Sequence, residues 1–292
     1  MFGGADRCGG VGTIMSAKDS NIHSTAIVSP SAVIGEGTTI GPYSVIGSHV
    51  VLGSNNKVAS HVVIEGHTTI GDGNTIYQFA SVGAHPQDLK YKGEPSELLI
   101  GNNNIIREYA TLQPGTEGGG MLTKIGNGNL FMATTHVGHD STVGDKCVMA
   151  NGAGLAGHVT IGNGVIVGGF SGIHQFVRIG DIAMVGAGSM VSQDIPPFCI
   201  AQGDRASIHG LNRIGLDRNG CSKEEFGLLR ELYGILFLQG IPEVEGKVFK
   251  ERVAYAQTRV GDSKWASAFV SFINASERGI MPHHASLAAG KA

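Results

Sequence analysis

This sequence lacks the charge excess that a polyanion-binding protein needs. Its 21 Lys and Arg are outnumbered by 24 Asp and Glu, giving a formal net charge of −3. With no basic surplus to neutralise phosphates, nucleic acid is not an expected partner. Charged residues (15%) and aromatics (6%) are too scarce for an ordinary helical enzyme, yet the 41% hydrophobic content is too high for a disordered chain. Cysteine is sparse: Cys8, Cys147, Cys199 and Cys221 stand far apart with no CxxC pair. That spacing reads as reduced thiols in a cytosol rather than a disulfide framework. No run of 18 apolar residues and no signal-peptide core occurs, so no transmembrane segment is expected and the chain reads as cytoplasmic. Residues 1–21 read as a disordered extension, inside which Met15 is an alternative start.

What is abundant is glycine, 46 residues. From Ile22 an aliphatic residue recurs at every sixth position through Val28, Ile34 and Ile40 to Val82. The series resumes at Ile100, Ile106 and Leu112, and again from Ile125 to Val191, commonly with a small residue following, as in IGEGTT and VGDKCV. No helical period gives a strict repeat of six, and simple alternation does not explain the recurring Gly. Each unit is expected to be one short strand and one corner, with the aliphatic residue inward and Gly, Asn or Asp supplying positive φ at the turn. Three units make a coil of about 18 residues, and coils stack in parallel about 4.8 Å apart. The expected solenoid spans 22–197, with interruptions at 83–99 and 113–124. Loops thrown from a regular solenoid tend to carry function or assembly.

After Pro196–Pro197 the repeat stops, and residues 198–292 read as a small C-terminal α-helical domain with a frayed tail at 283–292. Ser222 to Glu225 forms a capping-box pattern ahead of apolar residues at helical spacing from Phe226 to Phe237. Gly240-Ile-Pro breaks that helix, and one or two more follow through Trp265, Phe269 and Phe272. Helices near residues 200–220 are expected within reach of substrate.

The repeat also acts as a ruler, because residues 18 apart lie directly above one another. His139, Gly157 and Gln175 fall on one such column, flanked by His158 and His174, with His136 three residues before His139. Four of the chain's 12 histidines therefore gather on one strip. Imidazole is the natural general base at neutral pH. Asp140 follows His139 and can fix its tautomer, provided the chain bends there. A glycine on the next coil lets its backbone N–H approach a developing oxyanion. Base, orienter and donor together suggest acyl transfer. No Ser or Cys nucleophile stands out, which favours direct attack by an acceptor hydroxyl. A zinc site built from His136, His139, His158 and His174, as in gamma-class carbonic anhydrases, is the competing reading of the same histidines.

The stretches IYQFASVGAHPQDLKYKGEP, THVGHDSTVG, LAGHVTIG, GGFSGIHQFVRIG and IPPFCIAQGDRASIHGLNRIGLDRNG weigh against the zinc reading by resemblance, which leaves it as the lesser alternative. They are similar, in order and from about residue 22 to the C-terminal helices, to the acyl-ACP–UDP-N-acetylglucosamine O-acyltransferases of lipid A synthesis. The resemblance implies a left-handed parallel β-helix, a homotrimer, and transfer of a 3-hydroxyacyl chain from acyl carrier protein to UDP-N-acetylglucosamine without a cofactor or metal. It implies His139 as general base, Asp140 as its partner and Gly157 as oxyanion donor. Gln87, Asp88 and Lys90 match loop residues near the sugar, in a site shared between subunits. His136, His158, His174 and Gln175 match groove residues that contact sugar or pantetheine. Asn212 and Arg218 match residues near the nucleotide and its diphosphate.

Three positions depart from the family's usual pattern. Gln113-Pro-Gly-Thr116 stands where His-Arg-Gly-Thr is common, and Arg218-Asn219 stands where two basic residues are common. Ala187 occupies the position that measures acyl length, and its methyl group is expected to shorten the accepted chain. The acceptor stays open between a 3-hydroxyl and a 3-amino sugar. A small-molecule transferase using acyl-CoA lacks the Gln-Asp-Leu-Lys loop, and the enzyme that acylates a sugar 2-amino group carries an N-terminal domain with no counterpart in the short segment ahead of the repeat.

Overall fold

In a computed structural model, which describes residues 21–284, the period of six becomes a three-sided parallel β-helix. Each unit is a two-residue strand such as Thr39–Ile40, Val45–Ile46 or Val51–Leu52. Successive side chains on a strand face opposite ways, so Val45 is exposed while Ile46 is buried. Thr39–Ile40 pairs in parallel with Asn21–Ile22 on one side and Lys57–Val58 on the other, in a register of 18. Three walls of eleven, nine and eight strands result. Inward residues such as Ile40, Ile64, Ile76 and Phe131 fill the tube. Each contributes about 1.5–3 kcal/mol by burial, and a slip of one residue would turn every one of them outward. Ile22, Val28 and Ile34 are only partly buried, because theirs is the first described coil and has a neighbour on one side only.

The corners correct the expected role of glycine. Gly37, Gly73 and Asn55 do turn corners with positive φ, but so do Tyr43, His61, Phe79, Tyr109 and Ile182. Such a conformation costs an L-residue about 1–2 kcal/mol. Backbone bonds between coils hold it, as where the His61 N–H donates to the Pro42 carbonyl at 3.0 Å. The glycine after the inward aliphatic has a different purpose. A Cβ on Gly41 would lie 2.7 Å from the Ala59 carbonyl carbon, and one on Gly144 would lie 2.8 Å from that of Gly162. Coils approach so closely at these points that only hydrogen fits.

Inside one corner runs a column of buried asparagines. The backbone N–H of Asn74 donates to Asn56 Oδ1, that of Asn104 to Asn74 Oδ1 and that of Asn129 to Asn104 Oδ1, at 2.8 to 2.9 Å. Cys147 ends the series, its N–H bonded to Asn129 Oδ1 at 2.7 Å and its Sγ to the Gly162 carbonyl at 3.0 Å. Burial pushes the Cys147 thiol up to about 11, so it remains a protonated donor. Cys147, Cys199 and Cys221 are all free, in keeping with reduced thiols, whereas Cys8 lies outside the described residues.

Both interruptions are shorter than their expected bounds of 83–99 and 113–124. Glu97–Ile100 pairs with His67–Ile70 and with Leu122–Ile125, so the excursions end at Ser96 and Met121. Alternation explains the longer strands: Leu98 and Thr123 point inward and are fully buried. The wall registers there step by 30 (Ile70 to Ile100) and 25 (Ile106 to Phe131) in place of 18.

Beyond Pro197 the chain forms a hairpin, Cys199–Gln202 with Ser207–Leu211, which extends the eleven-stranded wall. This replaces most of the helix expected near 200–220. Four α-helices follow among the described residues: α1 (Arg213–Arg218), α2 (Lys223–Phe237), α3 (Phe249–Gln257) and α4 (Lys264–Asn274). They close the end of the tube, with Phe198 against Trp265 at a ring separation of 5.2 Å. The Ser222 hydroxyl caps α2 by accepting the Glu225 N–H at 3.2 Å. The other half of the expected box is not made, because the Glu225 carboxylate instead accepts a hydrogen bond from Ser263, the cap of α4. After α4 the chain returns along the solenoid, where the Asp194 and Met281 backbone N–H groups bond to Gly279 and Asp194 carbonyls. The extension expected at 1–21 and the tail at 283–292 fall almost wholly outside the described residues. No described helix is long and apolar enough to cross a membrane.

Candidate active site

His139 and Asp140 stand at a corner where Asp140 has a φ of 59°. That left-handed turn supplies the bend the sequence requires: it brings two adjacent side chains together, with His139 Nδ1 2.8 Å from Asp140 Oδ2. The Asp140 side chain is fully buried and the His139 ring nearly so. Thr116 donates to both carboxylate oxygens, from its N–H to Oδ1 at 2.8 Å and from its hydroxyl to Oδ2 at 2.6 Å. The Asp140 backbone N–H is in turn bonded to Thr123 Oγ1 at 2.7 Å. Supplied with donors on both oxygens, the carboxylate accepts the His139 Nδ1–H and leaves Nε2 with the free lone pair.

Residues invisible to the 18-residue ruler build this support. Thr116 comes from the second excursion, and Gly119 in the same turn must be glycine, since a Cβ would lie 1.9 Å from Asp140 Cγ. The run GTEGGG carried that signal, although an insertion has no register from which to read it. Gln113, the departure from the family pattern, is buried and accepts the Gln87 N–H at 3.1 Å. It thereby ties the second excursion to the first. Glu94 does the same by accepting the Lys92 and Glu117 N–H groups, and the Lys92 N–H beside it holds its carboxyl below the ordinary value.

Gly157 lies one coil above His139, where the His158 N–H donates to the His139 carbonyl. A Cβ on Gly157 would lie 2.5 Å from His139 Cε1 and 2.6 Å from Nε2. Only glycine lets the imidazole rest against that coil. The Gly157 N–H has no acceptor among the described residues. His158 meets His139 edge-on at 5.0 Å, with its Nε2 3.9 Å from Asp140 Oδ2, and stacks on Phe176 at 4.4 Å. Burial pushes the His158 pKa down, partly countered by Asp140. Asp88 and Lys90 also act on it electrostatically, so the first excursion reaches this site. Gln87 and Lys90 are exposed there.

A groove of about 450 Å³ adjoins the cluster, lined by His136, Leu155, Ile173, His174 and Met190 among others. It exists because Gly154 and Gly172 occupy outward strand positions between His136 and Met190 in one stacked column. Those two glycines were a readable signal that the repeat analysis passed over. His136 is held by Thr111 Oγ1 at 2.7 Å, and burial pushes its pKa down.

The structure thus brings His139, Asp140, Gly157 and His158 into one cluster, with His136 and His174 along the groove and Gln175 exposed one coil above Gly157. Asn212 and Arg218 make no hydrogen bond, ion pair or ring contact to this cluster among the described residues. The Asn212 amide is committed to capping α1, accepting from Gly215 N–H and donating to the Ile182 carbonyl. Ala187 is exposed at a corner and does not line the groove in the single chain. Ligand atoms of His139, Asp140 and His158 lie within 4.8 Å of one another. The donors already seated on both Asp140 oxygens fit a hydrogen-bonded pair better than a zinc ligand set.

Known proteins are similar to this chain over most of its length. Residues 31–66 match the family model described as bacterial transferase hexapeptide (six repeats), and residues 194–281 match that of UDP-N-acetylglucosamine O-acyltransferase, domain 2. An acyl-[acyl-carrier-protein]–UDP-N-acetylglucosamine O-acyltransferase of Aliarcobacter butzleri is 46% identical over 261 residues, covering 89% of this chain and 98% of that protein. The crystal structure of Francisella novicida UDP-N-acetylglucosamine acyltransferase superposes with a TM-score of 0.86 at 37% identity, covering 91% and 96% of the two chains. The Campylobacter jejuni enzyme of the same name gives 0.84 at 36% identity, covering 90% and 100%. Their solenoids are left-handed, which the period of six alone does not specify. With a hexapeptide solenoid, a capped helical end and relatives matched over nearly their whole length, this chain belongs to the acyl-[acyl-carrier-protein]–UDP-N-acetylglucosamine O-acyltransferase family.

Proposed function

We propose that this protein transfers a 3-hydroxyacyl chain from acyl carrier protein to the glucosamine 3-hydroxyl of UDP-N-acetylglucosamine, the first step of lipid A biosynthesis. The observation that carries the mechanism is the buried pair of His139 and Asp140 directly beneath the unpartnered Gly157 N–H. His139 Nε2 takes the proton from the acceptor hydroxyl as its oxygen attacks the thioester carbonyl. The oxyanion accepts the Gly157 N–H, and Asp140 stabilises the imidazolium. Collapse breaks the C–S bond, and the imidazolium returns the proton to the departing pantetheine sulfur. No covalent acyl-enzyme and no cofactor take part.

Gln87, Asp88, Lys90, His158 and Gln175 are assigned to the sugar side, and His136 and His174 to the groove for the acylated pantetheine. Arg218 is assigned to the diphosphate, with Asn212 acting by fixing the start of α1. Ala187 limits chain length at an assembled subunit boundary. The protein works as a cytoplasmic homotrimer, a reading supported by the fully exposed Leu89 at the tip of the substrate loop and by an exposed aromatic edge.

The test is acyl transfer by wild type and His139→Ala with a panel of 3-hydroxyacyl-ACP donors. Wild type is expected to acylate UDP-N-acetylglucosamine. The variant is expected to lose on the order of 10²–10⁴ in kcat, the usual contribution of a general base, with its assembly intact. Transfer only to a 3-amino sugar would overturn the acceptor, and an active His139→Ala would overturn the base.

A further inference from the structure

The segment after α4 carries a side chain into the groove wall that the mechanism above does not use. Arg278 Nη2 lies 2.8 Å from His174 Nδ1, and its Nε donates to the Ser192 carbonyl at 2.8 Å. His174 and Ser192 both line the groove. The segment is fixed by Asp194, which is fully buried. Its Oδ2 accepts the Ser276 hydroxyl at 2.8 Å and its Oδ1 the Arg178 N–H at 2.8 Å. Arg178 Nη1 adds a bond to the Ala275 carbonyl at 2.8 Å. Arg278 is therefore held by neighbours on both sides and is not a free surface cation.

Its chemistry sets the tautomer of the histidine. Guanidinium nitrogens only donate, so His174 Nδ1 must present its lone pair to Arg278. The same Nδ1 lies 3.2 Å from the Gln175 carbonyl. That contact would need Nδ1 to carry a proton, which the shorter Arg278 bond forbids. The proton then resides on Nε2, which makes His174 a hydrogen-bond donor to a ligand in the groove. A pantetheine arm offers two amide carbonyls as acceptors for such a donor.

On the acyltransferase reading above, we propose that Arg278 is a positioning residue for the acyl donor: it holds His174 as the Nε2–H tautomer and so connects the C-terminal segment to the groove. Arg278 need not touch substrate, and its effect passes through His174.

Two measurements test this on the full-length protein. Nitrogen-15 NMR of histidine-labelled protein, with His174 assigned by the signal lost in His174→Gln, reads the tautomer without needing activity. Wild type is expected to show Nδ1 unprotonated and Nε2 protonated, and Arg278→Gln to show a mixture of tautomers. A wild-type Nδ1–H signal would overturn the proposal whatever the protein transfers. In steady-state assays, Arg278→Gln is expected to raise KM for acyl-ACP in inverse proportion to the Nε2–H fraction that NMR reads, about tenfold where roughly nine-tenths of His174 has shifted to the Nδ1–H form. Its kcat and its KM for the UDP-sugar are expected to stay within about twofold, and Arg278→Lys, which keeps a donor, should recover part of the loss. In a His174→Ala background the Arg278→Gln change should add nothing. An equal penalty in that background, or one spread over both substrates, would make Arg278 merely structural. Absence of transfer by wild type would instead count against the acyltransferase reading, with the NMR result standing apart.

Discussion

A methyl group at Gly157 has nowhere to go except into the His139 ring. The nearest atoms to an added Cβ are Cε1 at 2.5 Å and Nε2 at 2.6 Å, so the base must swing away from both its partner and its substrate. Gly157 does not need a left-handed backbone, which makes alanine acceptable to the coil itself. Gly157→Ala is therefore expected to leave the melting temperature nearly unchanged while lowering kcat by about 10²-fold or more, as misplacement of a reacting group by about 1 Å does. Thermal unfolding and single-turnover rates on the same sample would check both halves. A rate near wild type would mean that the ring has room to retreat while keeping its function.

The same contact shows what could be read from the sequence at this scale. Residues 139 and 157 are related by one coil, so their juxtaposition followed from the repeat alone. Thr116 and Gly119 support Asp140 from an excursion, where the step between coils is no longer 18 and no spacing rule applies. Asn212 marks a different limit: an amide that resemblance assigns to the nucleotide is satisfied by a helix end and a carbonyl.

Among elements, the two-residue strand is too short to be stable by itself, and its neighbours hold it in place. The period of six predicted these strands and the inward face, because burial of one aliphatic per unit is what the repeat encodes. Which residues turn the corners was less legible: Tyr43, Phe79 and Ile182 adopt a conformation that favours glycine or asparagine. They are held there by bonds between coils, a tertiary effect that overrides local preference. The asparagine column illustrates how strongly such bonds couple the coils. Asn104 Nδ2 donates to Asn74 Oδ1 and the Gly126 carbonyl, while its Oδ1 accepts from the Asn129 N–H and Nδ2. Removing the amide in Asn104→Ala leaves several buried groups unpaired, each costing about 1–3 kcal/mol. The expected loss is roughly 3 kcal/mol in chemical denaturation, with kcat unchanged at temperatures well below unfolding, since Asn104 contacts none of the site residues. A loss under about 1 kcal/mol would show that water replaces the amide.

The whole molecule leaves one edge of the solenoid conspicuously apolar. Tyr43, His61, Phe79 and Tyr109 follow one another ring to ring, with centroids 5.1, 5.3 and 5.2 Å apart, the first two pairs tilted and the last stacked. Tyr43, Phe79 and Tyr109 are 60%, 46% and 56% exposed, and Phe170 farther along the chain is 74% exposed. Single exposed aromatics are ordinary, but a contiguous column of them marks an interaction surface. The 18-residue spacing of Tyr43, His61 and Phe79 carried this signal, which the repeat analysis passed over, whereas Tyr109 follows only after the first excursion lengthens the step to 30. We propose this edge as a contact between subunits of the proposed homotrimer, which would bury it. Phe79→Asp places a charge in the middle of the column, between His61 and Tyr109, where a subunit contact cannot hydrate it. The same change relieves the backbone, because Asp tolerates a φ of 64° better than Phe does. The isolated fold should accordingly survive, with an unchanged β-rich circular dichroism spectrum. Sedimentation velocity is expected to show wild type as a trimer and Phe79→Asp largely as a monomer, and on the shared-site reading that the family resemblance implies, transfer falls with assembly. A Phe79→Asp protein that stays trimeric would remove this edge from the interface. A variant that becomes monomeric yet keeps full activity would mean that one chain holds the entire catalytic site.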